Sequence, residues 1–430
     1  MIEAVEIKNF KSADKLDLDF GRVNVFIGEN GAGKSTILEA ITFVGAAEAD
    51  RLDDEFLELR GIRTVSPQLM RSAFNRDSCN QSIEINIQSN VNDRPTQKRF
   101  VLSHDNDLFS EWEVDRAHLA RLGDDDKKLD MDFHFFLAEV LSDLAEKQNL
   151  SGQEIYTMFQ SVGRERGMDT QEIESRFGLL NSDDGLERLQ TIAGARDEYE
   201  NRVDEAFGFL KKFAIYSPQI EQLKELNRES KMKPLGIYGE GLFLVLRKIL
   251  TEQPEAFSDI EKGLDYIGWF RGFSMKDESG TTHDLLSFKD RYIKGLELEL
   301  RNTNEGFLYM LFYMVLFVSK DTPKIFAIDN IDSALNPKLC QHMIEYLSKL
   351  AKKYDKQVFF TTHNPAILDG IDLNDDEQRI FVVSRNKRSG ATKAKRLTLK
   401  DKPKDSNGEP IRLSEAMLRG YIPNALPKGF

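Results

Sequence analysis

Residues 23–36 read VNVFIGENGAGKST. The run VNVFI, 23–27, has the β-branched content of a buried strand. The next nine residues, GENGAGKST, fit G-x-x-x-x-G-K-[ST], with Gly28, Gly33, Lys34 and Ser35 in the fixed positions. From Ser35 to Val44 the apolar residues Ile37, Leu38, Ile41 and Val44 recur at helical spacing. Strand, glycine loop and helix in this order make a phosphate cradle. Glycines let several backbone N–H groups converge on one polyphosphate, and the helix adds its positive N-terminal end. On this reading Asn30, Gly31, Ala32, Gly33, Lys34, Ser35 and Thr36 bind ATP. Lys34 bridges the β and γ phosphates, and the Ser35 hydroxyl ligates Mg²⁺. A functionless glycine turn would match the four positions in about one chain of this size in a hundred. The flanking strand and helix lower that further.

The chain has 430 residues, room for two or three domains. Its net charge of −13 removes any bulk attraction to nucleic acid or to an anionic membrane. A nucleic-acid contact would need a local basic patch. The two cysteines, Cys79 and Cys340, have no metal-site spacing, so a reduced, cytoplasmic chain is expected. The opening MIEAVEIKNFKS lacks the apolar core of a signal peptide. The longest apolar run, Phe307 to Val318, falls short of the roughly 20 residues that a membrane helix needs. It reads as a buried helix, and no membrane association is expected.

Alternation at 2–8 and 15–20 predicts a hairpin, and 82–88 with 98–103 a second strand pair. Near residue 115 the chain turns helical and charged, to about 212. Leu189, Ile192, Tyr199, Val203, Ala206, Leu210 and Phe213 form a heptad-like stripe, interrupted by Arg196. It spans only a few heptads, which favours packing within a helical insert over a projecting coiled coil. Ser151 and Glu154 suit a capping box. FAIYSP, 213–218, looks like a returning strand, and 240–270 is helical. From about 285 the pattern is helix, strand 325–328, helix 337–352, strand 357–361 and a hairpin at 379–399. The glycines of YGEGL, 238–242, read as a helix-start turn. The expected division is a head lobe at 1–114, a helical insertion at 115–212 and a second head lobe at 213–430.

IFAIDNIDSALNP, 325–337, ends an apolar strand at Asp329, which suits a second contact to Mg²⁺. Helix capping is the plainer alternative for that aspartate. FFTTHNPAILDG, 359–370, repeats the layout, with His363 at the strand mouth. With the cradle, these stretches resemble the α/β ATP-binding head of the ABC superfamily, in its SMC, Rad50 and RecF branch. VEIKNFKS is similar to the opening strand of such heads. The resemblance implies that Asp329 is the Walker B aspartate and that Ser333, Ala334 and Leu335 form the D-loop. It implies that His363 senses the γ-phosphate. NTNEGFLYML, 302–311, stands where a signature motif reaches a partner's ATP. Asn304, Glu305 and Gly306 are its echo. Gln81 and Gln88 are the candidates for the Q-loop glutamine. Two heads would then associate head to tail around two ATPs, as a homodimer or a higher homo-oligomer.

Asn330 departs from the family, in which glutamate usually follows the Walker B aspartate and polarises the attacking water. An amide can orient water but cannot take its proton, and such assistance contributes typically 10² to 10⁴ in rate. Asp332 is the nearby carboxylate, at the start of the D-loop. Slow hydrolysis, or an ATP-held switch, is the expectation. YGEGL, LRGIRTVSP at 59–67 and the ending RGYIPNALPKGF look most like stand-alone ATPases of bacterial antiphage defence. These are the Septu ATPases (PtuA, retron-associated forms included), with OLD-type and PARIS-type cousins. That likeness implies a separate HNH nuclease chain, PtuB-like, because the six histidines show no HNH clustering. RNKRSGATKAKR, 385–396, is the dense basic segment. It reads as a solvated hairpin edge, with phosphate contact as the alternative. Two other functions fit: a RecF-like DNA-repair clamp, and a scaffold that holds ATP without cycling.

Overall fold

The computed structural model describes residues 1–115 and 203–425, except 75–76, 92–93, 108, 226–229, 276–285, 297, 300–302 and 405–407, and also 121, 122, 157, 160, 161 and 164. The chain divides into two compact units. One comprises Met1–Ser89, Phe100–Val114 and Phe209–Phe430, the other Asn90–Arg99 and Asp115–Gly208.

The first unit is built on β1 (Ile2–Phe10), β2 (Ala13–Asp19) and β3 (Val23–Gly28), followed by α1 (Lys34–Glu48). β1 pairs antiparallel with β2, as its alternation predicts, and with β4 (Ile83–Val91) on its other side. β5 (Arg94–Ser103) and β6 (Glu113–Asp115) follow in that sheet. In the second unit, β7 (Arg121–Leu122) lies antiparallel to Thr96 and Gln97. Val203 and Ala206 of this unit are buried, as are Leu210 and Phe213 of the first. Leu189, Ile192, Arg196 and Tyr199 lie outside the described residues, as do Ser151 and Glu154.

The sheet that carries the site runs in the order β15-β14-β3-β13-β12-β8. Its members are β8 (Ile215–Tyr216), β12 (Ile325–Ile328), β13 (Gln357–Thr362), β14 (Gln378–Arg385) and β15 (Thr392–Leu397). All pairings are parallel except the β14–β15 hairpin. Central parallel strands are covered on both faces, which explains why β3, β12 and β13 are apolar runs without alternation and are buried throughout.

On one face lie α2 (Leu242–Glu252), α3 (Pro254–Asp265), α4 (Glu305–Val318) and α5 (Pro337–Lys353). Every residue of α4 from Met310 to Val318 is buried, the mark of a helix apolar all round. Gly239 and Gly241 have positive φ, and Gly241 caps α2, so YGEGL is a helix-start turn.

The expectation of helix from about 285 needs correction. Leu286–Asp290 (β10) and Leu298–Glu299 (β11) form a three-stranded antiparallel sheet with Phe270–Met275 (β9), and helix begins only at Glu305. Phe288 is buried and packs its ring 5.3 Å from Phe307 and 5.6 Å from Trp269. A five-residue strand alternates over too short a span to compete with the helical signal around it.

Candidate functional site

Parallel strands deliver their carboxyl ends to one edge of a sheet, and a crevice forms there. The ends of β3, β12, β13 and β14 supply the loop at Gly28, then Asp329, His363 and Arg385. They open on a cleft of about 680 Å³ lined also by Lys11, Ser12, Arg63, Arg71 and Phe74. Asn30, Gly31, Gly33, Lys34, Ser35, Thr36 and Asn330 complete much of its wall. Ala32 of the predicted set is buried in the loop, and Thr392 Oγ1 donates to its carbonyl at 3.0 Å.

The loop needs its glycines. Gly28 has φ 149 and Gly33 φ 105, and a Cβ on Gly28 would run into the Val383 carbonyl of β14. Lys34 is 6% exposed, and its ammonium donates to the carbonyls of Gly28 and Glu29, 3.0 Å each. Burial lowers the Lys34 pKa, and the charges of Asp329 and Asp332 oppose that shift.

Ser35 Oγ lies 3.3 and 3.4 Å from the two carboxylate oxygens of Asp329. Thr361 Oγ1, at the end of β13, also donates to Asp329. No ion pair reaches this carboxylate among the described residues. A serine hydroxyl, an anionic carboxylate and space beside them are hard oxygen donors of the kind Mg²⁺ takes in addition to phosphate oxygens. Among the described residues no group of three or more His, Cys, Asp or Glu could hold a metal by itself.

Asn330 sits at the rim of the cleft with φ 54, a left-handed backbone that asparagine tolerates and most side chains resist. Its N–H donates to Thr361 Oγ1 at 2.9 Å. Asp332 accepts from Thr362 Oγ1 at 2.6 Å and does not line the cleft. The two strand-end threonines therefore tie the stretch after β12 to the end of β13, Thr361 through Asp329 and Asn330 and Thr362 through Asp332. His363 is exposed at the mouth. The protein around it lowers its pKa below the ordinary value, and the nearby Lys34 charge adds to that.

Asn304 caps α4, its side chain accepting from Phe307 N, with Glu305 in the first turn. A Cβ on Gly306 would meet the Ala334 carbonyl at 3.2 Å, so the turn at 304–306 packs against Ala334 and Leu335. None of Asn304, Glu305 and Gly306 lines the cleft of their own chain. Gln81 and Gln88 do not line it either.

The sequence left several wall residues unread. Ser12 Oγ bonds Thr36 Oγ1 at 3.2 Å and Thr392 Oγ1 at 2.8 Å. Arg385 donates from Nε to the Gly31 carbonyl at 2.8 Å and from Nη1 to the Gly390 carbonyl at 2.6 Å. The basic hairpin thus gives its first residue to the site, while Lys387, Arg388 and Lys393 stay exposed. Lys11 and Arg63 come from the β1–β2 turn and from the 59–67 stretch. Only the second lysine of VEIKNFKS and the second arginine of LRGIRTVSP, each in a short loop, hinted at them.

Short stretches of the chain match bacterial DNA replication and repair proteins RecF. One, from Lactococcus lactis, is 43% identical over 51 residues, 12% of this chain and 14% of that protein. Another, from Bacillus cereus, is 36% identical over 70 residues, 14% of this chain and 19% of that protein. Each match therefore spans under a fifth of the relative. Among solved structures, an SMC head bound to the C-terminal winged-helix domain of ScpA aligns at TM-score 0.49 and 15% identity, over 93% of this chain and 98% of that one. The SMC head domain from Thermotoga maritima aligns at TM-score 0.45 and 13% identity, over 93% and 99%. No described helix is long and apolar enough to cross a membrane. Residues 1–368, most of the chain, match the AAA ATPase domain family AAA_15. The protein belongs to that family, with an α/β fold built on a mostly parallel sheet.

Proposed function

We propose that the cleft binds ATP with Mg²⁺, that two heads associate around the nucleotide, and that the complex is held rather than rapidly cycled. The supporting observation is the pairing of Ser35 with Asp329 beside an amide, Asn330, at the place of a proton acceptor. Lys34 and the loop N–H groups would hold the phosphates, and Ser35 and Asp329 would hold the metal. Bound there, Mg²⁺ supplies positive charge to the β and γ phosphate oxygens. Asn330 would orient water without taking its proton, and Asp332 is engaged by Thr362 instead. His363, at the mouth beside Lys34, would sense the terminal phosphate. Asn304, Glu305 and Gly306, which do not line their own cleft, would face the partner's. The head lobes at 1–114 and 213–430, with the insertion 115–212 between them, would form one such ATPase.

The biological setting that fits best is bacterial antiphage defence in the cytoplasm, in which the ATP-held oligomer assembles and restrains a separate HNH-type nuclease chain. A slow, switch-like head suits that task, and the Septu-like stretches of the sequence support it. The RecF matches favour a second reading, a DNA-repair clamp. The exposed Lys387, Arg388 and Lys393 would then meet DNA phosphates.

Radiolabelled ATP decides between these, with binding and turnover measured on one sample. Wild type should bind ATP, Lys34→Ala should not, and turnover should be slow. Asn330→Asp restores a carboxylate and keeps the left-handed backbone, whereas Asn330→Glu adds strain of about 1 kcal/mol. Either should raise turnover, by up to about 10²-fold. Brisk wild-type hydrolysis that DNA accelerates would sink the switch and support the clamp.

A further inference from the structure

Glu39 lies on α1, just past Ser35, and is 1% exposed. Its Oε2 accepts from Lys11 Nζ at 2.8 Å. Its Oε1 accepts from Arg63 Nε at 2.8 Å and from Arg63 N at 3.4 Å. Lys11 Nζ also donates to the Arg63 carbonyl at 2.8 Å. Three segments that are distant in sequence are therefore knotted on one carboxylate: the helix of the phosphate loop, the β1–β2 turn and the 59–67 loop. Both cations line the cleft.

The asymmetry of the Arg63 contact matters. Its side chain is 73% exposed, yet it is held by Nε, so its terminal Nη groups have no partner among the described residues. Held at the elbow, a guanidinium keeps its planar fork free for an anion. A buried ion pair is weak evidence for stability, since an apolar replacement is often as good. Carboxylate charge at this spot calls for another reason.

We propose that Glu39 is a positioning residue of the nucleotide cleft. Its carboxylate fixes Lys11 and Arg63 in the wall where the polyphosphate of ATP is bound. This rests on the ATP reading of the cleft and adds a residue that touches no nucleotide. Burial pulls the Lys11 pKa down, Glu39 opposes that shift and the Arg63 charge adds to it, so the carboxylate also favours a charged Lys11.

The test is ATP affinity by calorimetry on the full chain, with melting temperature recorded for each variant. Glu39→Gln keeps the volume and loses the charge, whereas Glu39→Asp keeps the charge and loses volume. Expected are an affinity loss of about tenfold for Glu39→Gln and a smaller loss for Glu39→Asp. Added to Lys11→Ala/Arg63→Ala, Glu39→Gln should change affinity by less than about twofold. From the cation side, Arg63→Lys should lose most of what Arg63→Ala loses, because an ammonium cannot be held at one point and bind at another. This arm stands even should Glu39→Gln fail to fold. The proposal is overturned if Glu39→Gln binds like wild type, if Glu39→Asp binds worse than Glu39→Gln, or if the loss persists without the two cations. It is overturned too if Arg63→Lys binds like wild type. Where Lys34→Ala abolishes binding and these results go against Glu39, the positioning role alone falls. Where wild type binds no ATP, the ATP reading falls with it.

Discussion

Two carboxylates stand near the phosphate loop, and the chain treats them in opposite ways. Glu39 is sealed in the protein, with one oxygen on Lys11 and the other on Arg63. Asp329 is half-buried, and among the described residues its carboxylate accepts hydrogen bonds from the hydroxyls of Ser35 and Thr361, with no ion pair. A buried charge needs a counter-charge, and one that the protein leaves with neutral donors suits an outside cation. The difference separates structure from chemistry: Glu39 is complete within the chain, while Asp329 suits a metal bound together with a nucleotide.

The sharpest way to break this contrast is to neutralise both sites and read both function and stability. Asp329→Asn should cost about 10² or more in Mg²⁺-dependent ATP turnover, since metal charge stabilisation amounts to several kcal/mol. Its melting temperature should not fall, because no protein cation loses a partner. Glu39→Gln should destabilise the fold by about 2 kcal/mol, below the usual cost of breaking a buried pair because Arg63 is largely exposed. Thermal and denaturant unfolding check both. A stable Glu39→Gln alongside an unstable Asp329→Asn would reverse the assignment.

A finer cut is Thr361→Val, which keeps the shape and removes one hydroxyl. Thr361 is fully buried, donates to Asp329 and accepts from Asn330 N. Losing it leaves the Asn330 N–H unsatisfied and should cost about 1–2 kcal/mol in denaturant unfolding. Turnover should fall by less than in Asp329→Asn. A larger kinetic loss than that of Asp329→Asn would mean that Thr361, not the metal contact, organises the site.

What was legible in the sequence follows from how local each signal is. Gly28, Gly33, Lys34 and Ser35 lie within eight residues, so their geometry is written in one stretch, and the strand and helix beside them share its periodicity. Asp329 and His363 end apolar strands, and parallel pairing with β3 through β13 brings both to the same edge. The Lys11–Glu39–Arg63 knot was not legible. Its members are charged residues without a repeating pattern, joined by the crossing of β1, α1 and a loop. Arg385 was hidden in a basic hairpin in which Lys387, Arg388 and Lys393 face solvent. The strand at Leu286–Asp290 was missed because five residues carry little periodicity.

The smallest expected effect concerns His363, which shares the mouth with Lys34. Partial desolvation by the protein around this exposed ring lowers its pKa and the Lys34 charge lowers it further, while Asp332 and Asp329 push the other way. A histidine whose folded pKa is below its unfolded one contributes stability that is complete above the unfolded pKa, near 6.5. That contribution is lost as the pH falls from there through the folded pKa. Lys34→Ala removes one of the two lowering causes and leaves the other. The His363 pKa should therefore rise part of the way towards its ordinary value, and its share of the acid loss should shrink. Ring-proton NMR titration of the six histidines, with His363→Gln to assign the resonance, measures this directly. An unmoved or lowered His363 in Lys34→Ala would mean that the ammonium does not reach the strand mouth. The electrostatic link between the glycine loop and His363 would then be lost, even with the contrast between Glu39 and Asp329 intact.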